Sequence, residues 1–455
     1  MNLAEELSEY ASGLNYGDLG PSTVKETKRR IVDALGCAMG ALDEPPVRIA
    51  RKVSSMEGRG GTSTILGTGM RTSPDVATFV NGLMIRYFDF NDTYLSKEPA
   101  HPSDNLGATL SVAESVGATG KELILATALA YEIQCRLCDS ADIRHRGWDH
   151  VCYGLVSSAL AAGKLMGLSA RKMTESVNIA LNAHIAMRQV RAGELSMWKG
   201  ASFSNAARNA VFAARLAEAG MTGPSPIFEG EMGFFKQVSG PFVMNTEDFG
   251  GRNGGFKIEE TYIKYYPAEY HSQTAVWAAL AVRKRIGDLR EIQGVEIASH
   301  EAGYTILGKD PEKWRPKTKE TADHSLPYIV GMALIEGKID NSTYSARKTT
   351  KKENLDFLDK ITVVEDPRLT ALYPHEGMGN RVTARLRSGA QVSEEVIIPR
   401  GHPRNPMSDE EVESKFRSLT RGKLSRKAVD RILDALWDLE RVKDTGSLTR
   451  MLRVV

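Results

Sequence analysis

The chain has 455 residues, 42% of them hydrophobic and 25% charged, with acids and bases so evenly matched that the formal net charge is +2. That length suits two or three domains with a substantial core, and the interspersed charges argue against a nucleic-acid footprint or a membrane-binding basic face. The opening MNLAEELSEYASGLNYG lacks the pattern of a secretory leader, no apolar run has bilayer length, and four cysteines do not make a disulfide framework, so a soluble, cytoplasmic protein is expected.

In chain order, Thr23 and Glu26 read as a capping box ahead of a helix on which Val24, Ile31, Val32 and Leu35 share one face. Ser73 and Pro74 start another, whose Val76, Phe79, Val80, Leu83, Met84 and Tyr87 follow helical spacing and deliver the chain to Asp89. Helical runs follow at 121–141, 155–166, 171–183 and 205–219, an all-helical arrangement in which small residues permit close packing. After Thr222 the prolines of GPSPIFEGEMGFF and the glycines of FGGRNGG read as loop and boundary rather than core. Strand-like runs appear at 293–300 and 359–366, and 381–399 reads as a hairpin turning at Ser388 and Gly389. From Ser408 the chain is helical again, with a capped start at SDEEVESKF and an amphipathic VDRILDALWDL. The expected fold is mainly α: a large all-helical domain built from residues 1–262 and 398–455, into which a smaller α+β domain, 263–397, is inserted.

Chemistry-bearing residues concentrate in DFNDTYLSKEPAHPSDN at 89–105, where Asp89, Asp92, Thr93, His101 and Ser103 follow the second helix directly. His101 comes twelve residues after Asp89, a separation that a folded-back loop could close into a carboxylate–imidazole pair. Cys135 and Cys138 form a CRLC pair to which Cys37 or Cys152 could add a third thiolate, the ligand count of an iron–sulfur hydro-lyase; the pair also sits in a helical run where core cysteines are common. No HExxH, no paired metal-ligand spacing and no phosphate-cradling glycine motif is present, so no metal is assigned.

The run DFNDTYLSKEPAHPSDNLG closely resembles a signature of the MmgE/PrpD family, and further family-like segments follow in family order: GWDHV at 147–151, YYPAEYHSQTAV at 265–276, ETADHSLPYIV at 320–330 and PRGHPRNPMSDEEVESKF at 399–416. The resemblance implies a helical core with the smaller domain as a lid, a homodimer, no cofactor, and a hydro-lyase acting on a small tricarboxylate. Dehydration of 2-methylcitrate to 2-methyl-cis-aconitate in propionate breakdown, with hydration of cis-aconitate as a further activity, is the expected chemistry. It implies catalytic roles for Asp89, His101, Lys264, Tyr328 and His271, and substrate contacts from Thr93, Ser103, His150, Lys199 and Arg208. Glu269 stands where decarboxylases of the family place a histidine, which argues against decarboxylation of cis-aconitate. That reaction, epimerisation of a substituted succinate, and a non-catalytic paralogue remain the alternatives; the linker Lys97-Glu98-Pro99-Ala100 departs from the dehydratases and leaves room for them. His324 and His402 lie in family-like motifs and are assigned to hydrogen bonding between domains ahead of chemistry, while His145, His184, His300 and His375 carry no such signature.

Overall fold

Small side chains and well-capped starts make most of this chain helical. The computed structural model describes residues 1–56, 60–374 and 376–454, so His375 lies outside the described residues. The fold opens with α1 (Leu3–Gly13) and α2 (Pro21–Gly40). α2 begins at Pro21, whose ring presets the first helical turn, so Thr23 and Glu26 already lie inside the helix and do not form the expected capping box. The Thr23 hydroxyl donates to Glu259 at 2.5 Å, and Glu26 pairs with Arg29 and Arg30.

α3 (Pro45–Ser54), α4 (Pro74–Arg86), α5 (Leu106–Val116), α6 (Gly120–Ser140), α7 (Val151–Leu165), α8 (Ala170–Ala183) and α9 (Trp198–Glu218) complete the first helical array. α6 carries a reciprocal cap: Thr119 accepts from the Glu122 backbone N–H, and Glu122 accepts from that of Thr119. α9 starts ahead of the run at 205–219 because Ala201 and Phe203 are already buried in the core. α4 and α5 meet at backbone contact, where a Cβ on Gly107 would lie 2.8 Å from the Gly82 Cα. This approach holds the end of α4, where Arg86 and then Asp89 follow.

The segment after Thr222 is irregular as expected, yet it is core and not merely boundary. Phe228, Phe234, Phe249, Phe256 and Ile258 are buried in the same hydrophobic cluster as the helices. That cluster draws on residues up to Ile263 and resumes at Met407, where α12 (Asp409–Thr420, with a full capping box at Ser408) and α13 (Arg426–Trp437) return to it.

A second cluster holds the intervening chain, from Tyr266 to Ala384. Its sheet contains β1 (Ile292–Ser299), β2 (Ile361–Glu365), β3 (Asn380–Leu386) and β4 (Gln391–Val396) in the order β2-β1-β3-β4. β1 pairs parallel with β2, Val295 opposite Ile361, and antiparallel with β3, Ile297 opposite Val382. Along β3 Val382 and Ala384 are buried while Arg381, Thr383 and Arg385 are not, the period-two pattern of a sheet covered on one face. α10 (Gln273–Arg285) and α11 (Leu326–Glu336) supply the cover. A two-residue ladder of Ser63–Thr64 with Arg71–Thr72 lies apart from this sheet. Among the described residues no helix is long and apolar enough to cross a membrane.

Candidate active site

The site forms where the end of α4 meets the segment between the two cores. Asp89 follows α4 with φ at +49°, the one non-glycine in the left-handed region among the described residues, a conformation that costs an L-residue about 1–2 kcal/mol. Aspartate tolerates it better than most, and strain of this kind collects at functional positions. The turn, closed by the Asp89 N–H donating to the Arg86 carbonyl at 3.0 Å, sends the carboxylate inward to 1% exposure.

Four groups surround that carboxylate. Arg86 donates from Nη1 to Oδ1, Lys264 Nζ lies 3.2 Å from Oδ1, and Lys199 Nζ and His324 Nε2 each lie 3.6 Å from Oδ2. Lys264 also donates to the Asp89 carbonyl at 2.8 Å. Burial opposes ionisation of Asp89, but Arg86, Lys199, Lys264 and His324 outweigh it and hold the carboxyl well below its usual range. The cations feel the converse. Burial pulls Lys199 down to about 8 and lowers Lys264, although Asp323 and Asp89 favour the charged form of the first and Asp89 that of the second.

A second carboxylate extends the cluster. Asp323 lies 3.8 Å from Lys199 and 3.5 Å from Lys319, whose ammonium also sits over the rings of Tyr87 and Phe88. Asp323 accepts from His324 Nδ1 at 2.6 Å, and because burial and Lys199 bring His324 down to about 4, this is a hydrogen bond from a neutral ring rather than an ion pair. Asp89, Asp323 and His324 could offer one ligand atom each to a metal ion, the three atoms lying within 4.8 Å of one another. Lys199 Nζ stands 3.4–3.8 Å from atoms of all three, so its ammonium already supplies the positive charge that such a trio attracts.

His101 forms the adjoining wall. Its Nδ1 lies 2.8 Å from the Asp92 carbonyl and 3.2 Å from the Thr93 hydroxyl. A carbonyl only accepts, so Nδ1 carries the proton and Nε2 keeps its lone pair. Burial, with Arg86 and Lys264 nearby, drives His101 well below the usual imidazole range and keeps it neutral. The expected Asp89–His101 pair is thus replaced by a backbone contact, because the loop folds Asp92 rather than Asp89 under the ring. His150 packs edge-on to His101 at 5.7 Å, accepts from Arg191 at Nε2, and burial lowers it to about 3. Asp92, fully buried, accepts from the Ser103 backbone N–H at 3.0 Å and so closes the loop.

Asp89, Thr93, His101, His150, Lys199 and Lys264 therefore share one buried region. Ser103 lies behind it, its hydroxyl accepting from Asn91 at 2.9 Å. His271 is one step removed: its backbone N–H donates to Glu269 at 2.7 Å, while its ring pairs with His300. Two expected residues are elsewhere. Arg208 is exposed on α9 and lines an apolar cavity of about 330 Å³ with Ile49, Val53, Met197 and Trp198. Nine helical residues rotate about 900°, which puts position 208 on the opposite face from Lys199. The Tyr328 hydroxyl is engaged inside the second core, donating to the Thr343 carbonyl at 2.7 Å.

The sequence reading missed Arg86 and Asp323; it gave His324 to hydrogen bonding, and the ring meets Asp323 at 2.6 Å and stands 3.6 Å from Asp89. Arg86 was detectable as the lone cation on the largely apolar helix PDVATFVNGLMIR, three residues before an aspartate. Asp323 and His324 carried only a motif, since their partners come from distant segments. Lys415 of α12 supports the whole arrangement, donating to the carbonyls of Phe90 (2.7 Å) and Lys264 (2.8 Å) while paired with Asp33 at 2.6 Å. The four cysteines are buried as free thiols, with Cys152 pushed up to about 12, and among the described residues no three of them gather as metal ligands.

The sequence pattern described as the MmgE/PrpD N-terminal domain matches residues 5–247, and that of the MmgE/PrpD C-terminal domain matches 266–439. A 2-methylcitrate dehydratase of Salmonella typhimurium is 30% identical over 437 residues, covering 91% of this chain and 89% of its own. An alkylcitrate dehydratase from a fungus is 30% identical over 468 residues, covering 93% and 88%. The human cis-aconitate decarboxylase is 26% identical over 474 residues, covering 99% and 95%.

Proposed function

The chain belongs to the MmgE/PrpD family, and we propose that it is a lyase that removes water from 2-methylcitrate to give 2-methyl-cis-aconitate, with its own side chains as base, acid and anion clamp. The observation that carries this reading is the buried Asp89 carboxylate ringed by Arg86, Lys199 and Lys264. Positive charge in a water-poor pocket suits a tricarboxylate and stabilises the negative charge that builds on a carboxylate when the neighbouring C–H is broken. Lys199 and Lys264 clamp substrate carboxylates, Asp89 holds the two ammoniums in place, and Arg86 fixes Asp89. His101 takes the proton at its bare Nε2. The C–O bond on the adjacent carbon then breaks, the double bond forms, and the hydroxyl departs as water with a proton from a second group.

Residues 263–397 act as the lid in this reading. Lys264 and Glu269 lie at its entry, so closing brings a cation and a carboxyl group to the substrate while excluding water. The functional unit is a homodimer of soluble chains, for which the exposed Ile49, Val53, Met197 and Trp198 are a suitable contact. No cofactor enters the chemistry. Decarboxylation is the second reading, favoured by the human relative and opposed by Glu269 at the position where decarboxylases carry histidine.

The test is product analysis by mass after incubating chelator-treated protein with 2-methylcitrate, citrate and cis-aconitate. Loss of water from 2-methylcitrate, insensitive to chelation, is the expected result. Release of carbon dioxide from cis-aconitate, or no conversion of any of the three, overturns it. His101→Ala should abolish turnover in a protein that still folds.

A further inference from the structure

Two buried histidines stand behind Glu269 in a hydrogen-bonded line that the site described above does not use. His271 Nδ1 and His300 Nε2 are 2.9 Å apart, and His300 Nδ1 lies 3.3 Å from the Gly379 carbonyl. At the other end His271 Nε2 faces Glu269 Oε1 at 4.0 Å, and Glu269 Oε2 accepts from the His271 backbone N–H. His271 is 3% exposed and His300 fully buried. The rings are held on both sides. Asn380 donates to the His271 carbonyl at 2.8 Å, and Tyr373 stacks on His300 at 4.8 Å.

Donor and acceptor roles follow from the one group in this line that has no choice. The Gly379 carbonyl can only accept, so His300 carries its proton on Nδ1. Burial lowers both rings to about 3, so each is neutral and holds one proton. His300 Nε2 is therefore a lone pair, it accepts from His271 Nδ1–H, and His271 Nε2 is left bare. The opposite assignment would set a bare His300 Nδ1 against a carbonyl oxygen. A bare imidazole nitrogen beside a carboxyl favours the protonated acid, and burial raises Glu269 in the same direction against the pull of His324 and Lys264.

The geometry points to His300 as a positioning residue that fixes His271 as its Nδ1–H tautomer, which keeps Glu269 protonated as the acid of the reaction. This rests on the dehydratase reading. Glu269 gives its carboxyl proton to the departing hydroxyl, which leaves as water. The carboxylate left behind faces Lys264 and takes a proton from solvent after product leaves, while His101 returns the substrate proton to solvent.

The test begins with ¹⁵N-histidine-labelled protein and two-bond ¹H–¹⁵N correlation near neutral pH, with His271→Asn used to assign the spectrum. The expected result is a His271 protonated at Nδ1 and bare at Nε2. His300→Phe removes the acceptor and should give a tautomer mixture at His271, whereas His300→Gln, whose side-chain carbonyl can accept, should keep the parent pattern. A parent His271 protonated at Nε2, or an unchanged pattern in His300→Phe, overturns the inference. Should His300→Phe fail to fold, the parent spectrum decides alone. In turnover of 2-methylcitrate, His300→Phe should lose at least about tenfold in kcat with KM nearly unchanged, His300→Gln should recover most of it, and Glu269→Gln should lose more. A tautomer as expected in a protein that dehydrates nothing refutes the dehydratase reading alone; the wrong tautomer in an active dehydratase refutes this inference alone.

Discussion

Asp89→Asn is the substitution that most directly probes the charge balance of the site. The change is nearly isosteric, yet it removes the carboxylate that Arg86, Lys199 and Lys264 share, leaving three buried cations with weaker opposition from Asp323 and from Asp104, whose Oδ2 lies 3.6 Å from Arg86 and which burial raises to about 7. Uncompensating a buried pair costs about 3–5 kcal/mol. Part of that cost can be relieved by deprotonation, because burial already holds Lys199 down to about 8 and loss of Asp89 lowers it further. Each further pKa unit corresponds to about 1.4 kcal/mol. The deficit should therefore be larger near pH 6, where the ammoniums carry more charge, and shrink towards pH 9. Urea denaturation of parent and variant across that range, followed by tryptophan fluorescence, measures it, and turnover should fall at least about a hundredfold. A variant within about 1 kcal/mol of the parent at pH 6, or one whose deficit does not change with pH, would refute the reasoning.

Arg208→Ala should leave kcat and KM within about twofold of the parent, since the side chain is exposed away from the site; a large rise in KM would restore it as a substrate contact. Lys415→Met leaves Asp33 buried without its partner and frees the carbonyls of Phe90 and Lys264, so stability should drop by about 3–5 kcal/mol, with part returned in the double variant Asp33→Asn/Lys415→Met. Acid should destabilise the fold well above the carboxylate range. His101, His150, His271, His300 and His324 all have folded pKa values below 6.5, so each takes up a proton on unfolding between pH 6.5 and about 4; they outnumber Glu98, Asp104 and Glu269, whose raised pKa values work the other way, so stability falls as pH drops through that window. A denaturation midpoint constant from pH 7 to pH 5 would contradict this.

Much of the architecture was legible because it is written in local periodicity. The apolar spacing from Val76 to Tyr87 marks α4 and puts Asp89 just past its end, and the alternation after Arg381 marks the hairpin of β3 and β4. The same periodicity, carried from Lys199 to Arg208, already separates the two onto opposite faces of α9. Where the reading failed locally, at Thr23, a proline two residues earlier had claimed the helix start. The family-like motifs located Asp89 and His101, and the wider resemblance pointed to Lys199 and Lys264, but not to what each does beside the others.

That was decided by the tertiary structure. Lys264 reaches Asp89 across 175 positions of chain, Lys199 and His324 meet across 125, and His300 reaches His271 from the end of β1. Charge state and tautomer depend on distance, burial and the next hydrogen-bond partner in space, none of which local sequence spacing records. The sequence by itself determined which elements form and where reactive side chains leave them. Only the packing of two cores against each other determined which carboxylate is ionised, which ammonium is weakened and which imidazole nitrogen is bare, because those follow from neighbours brought together by the fold.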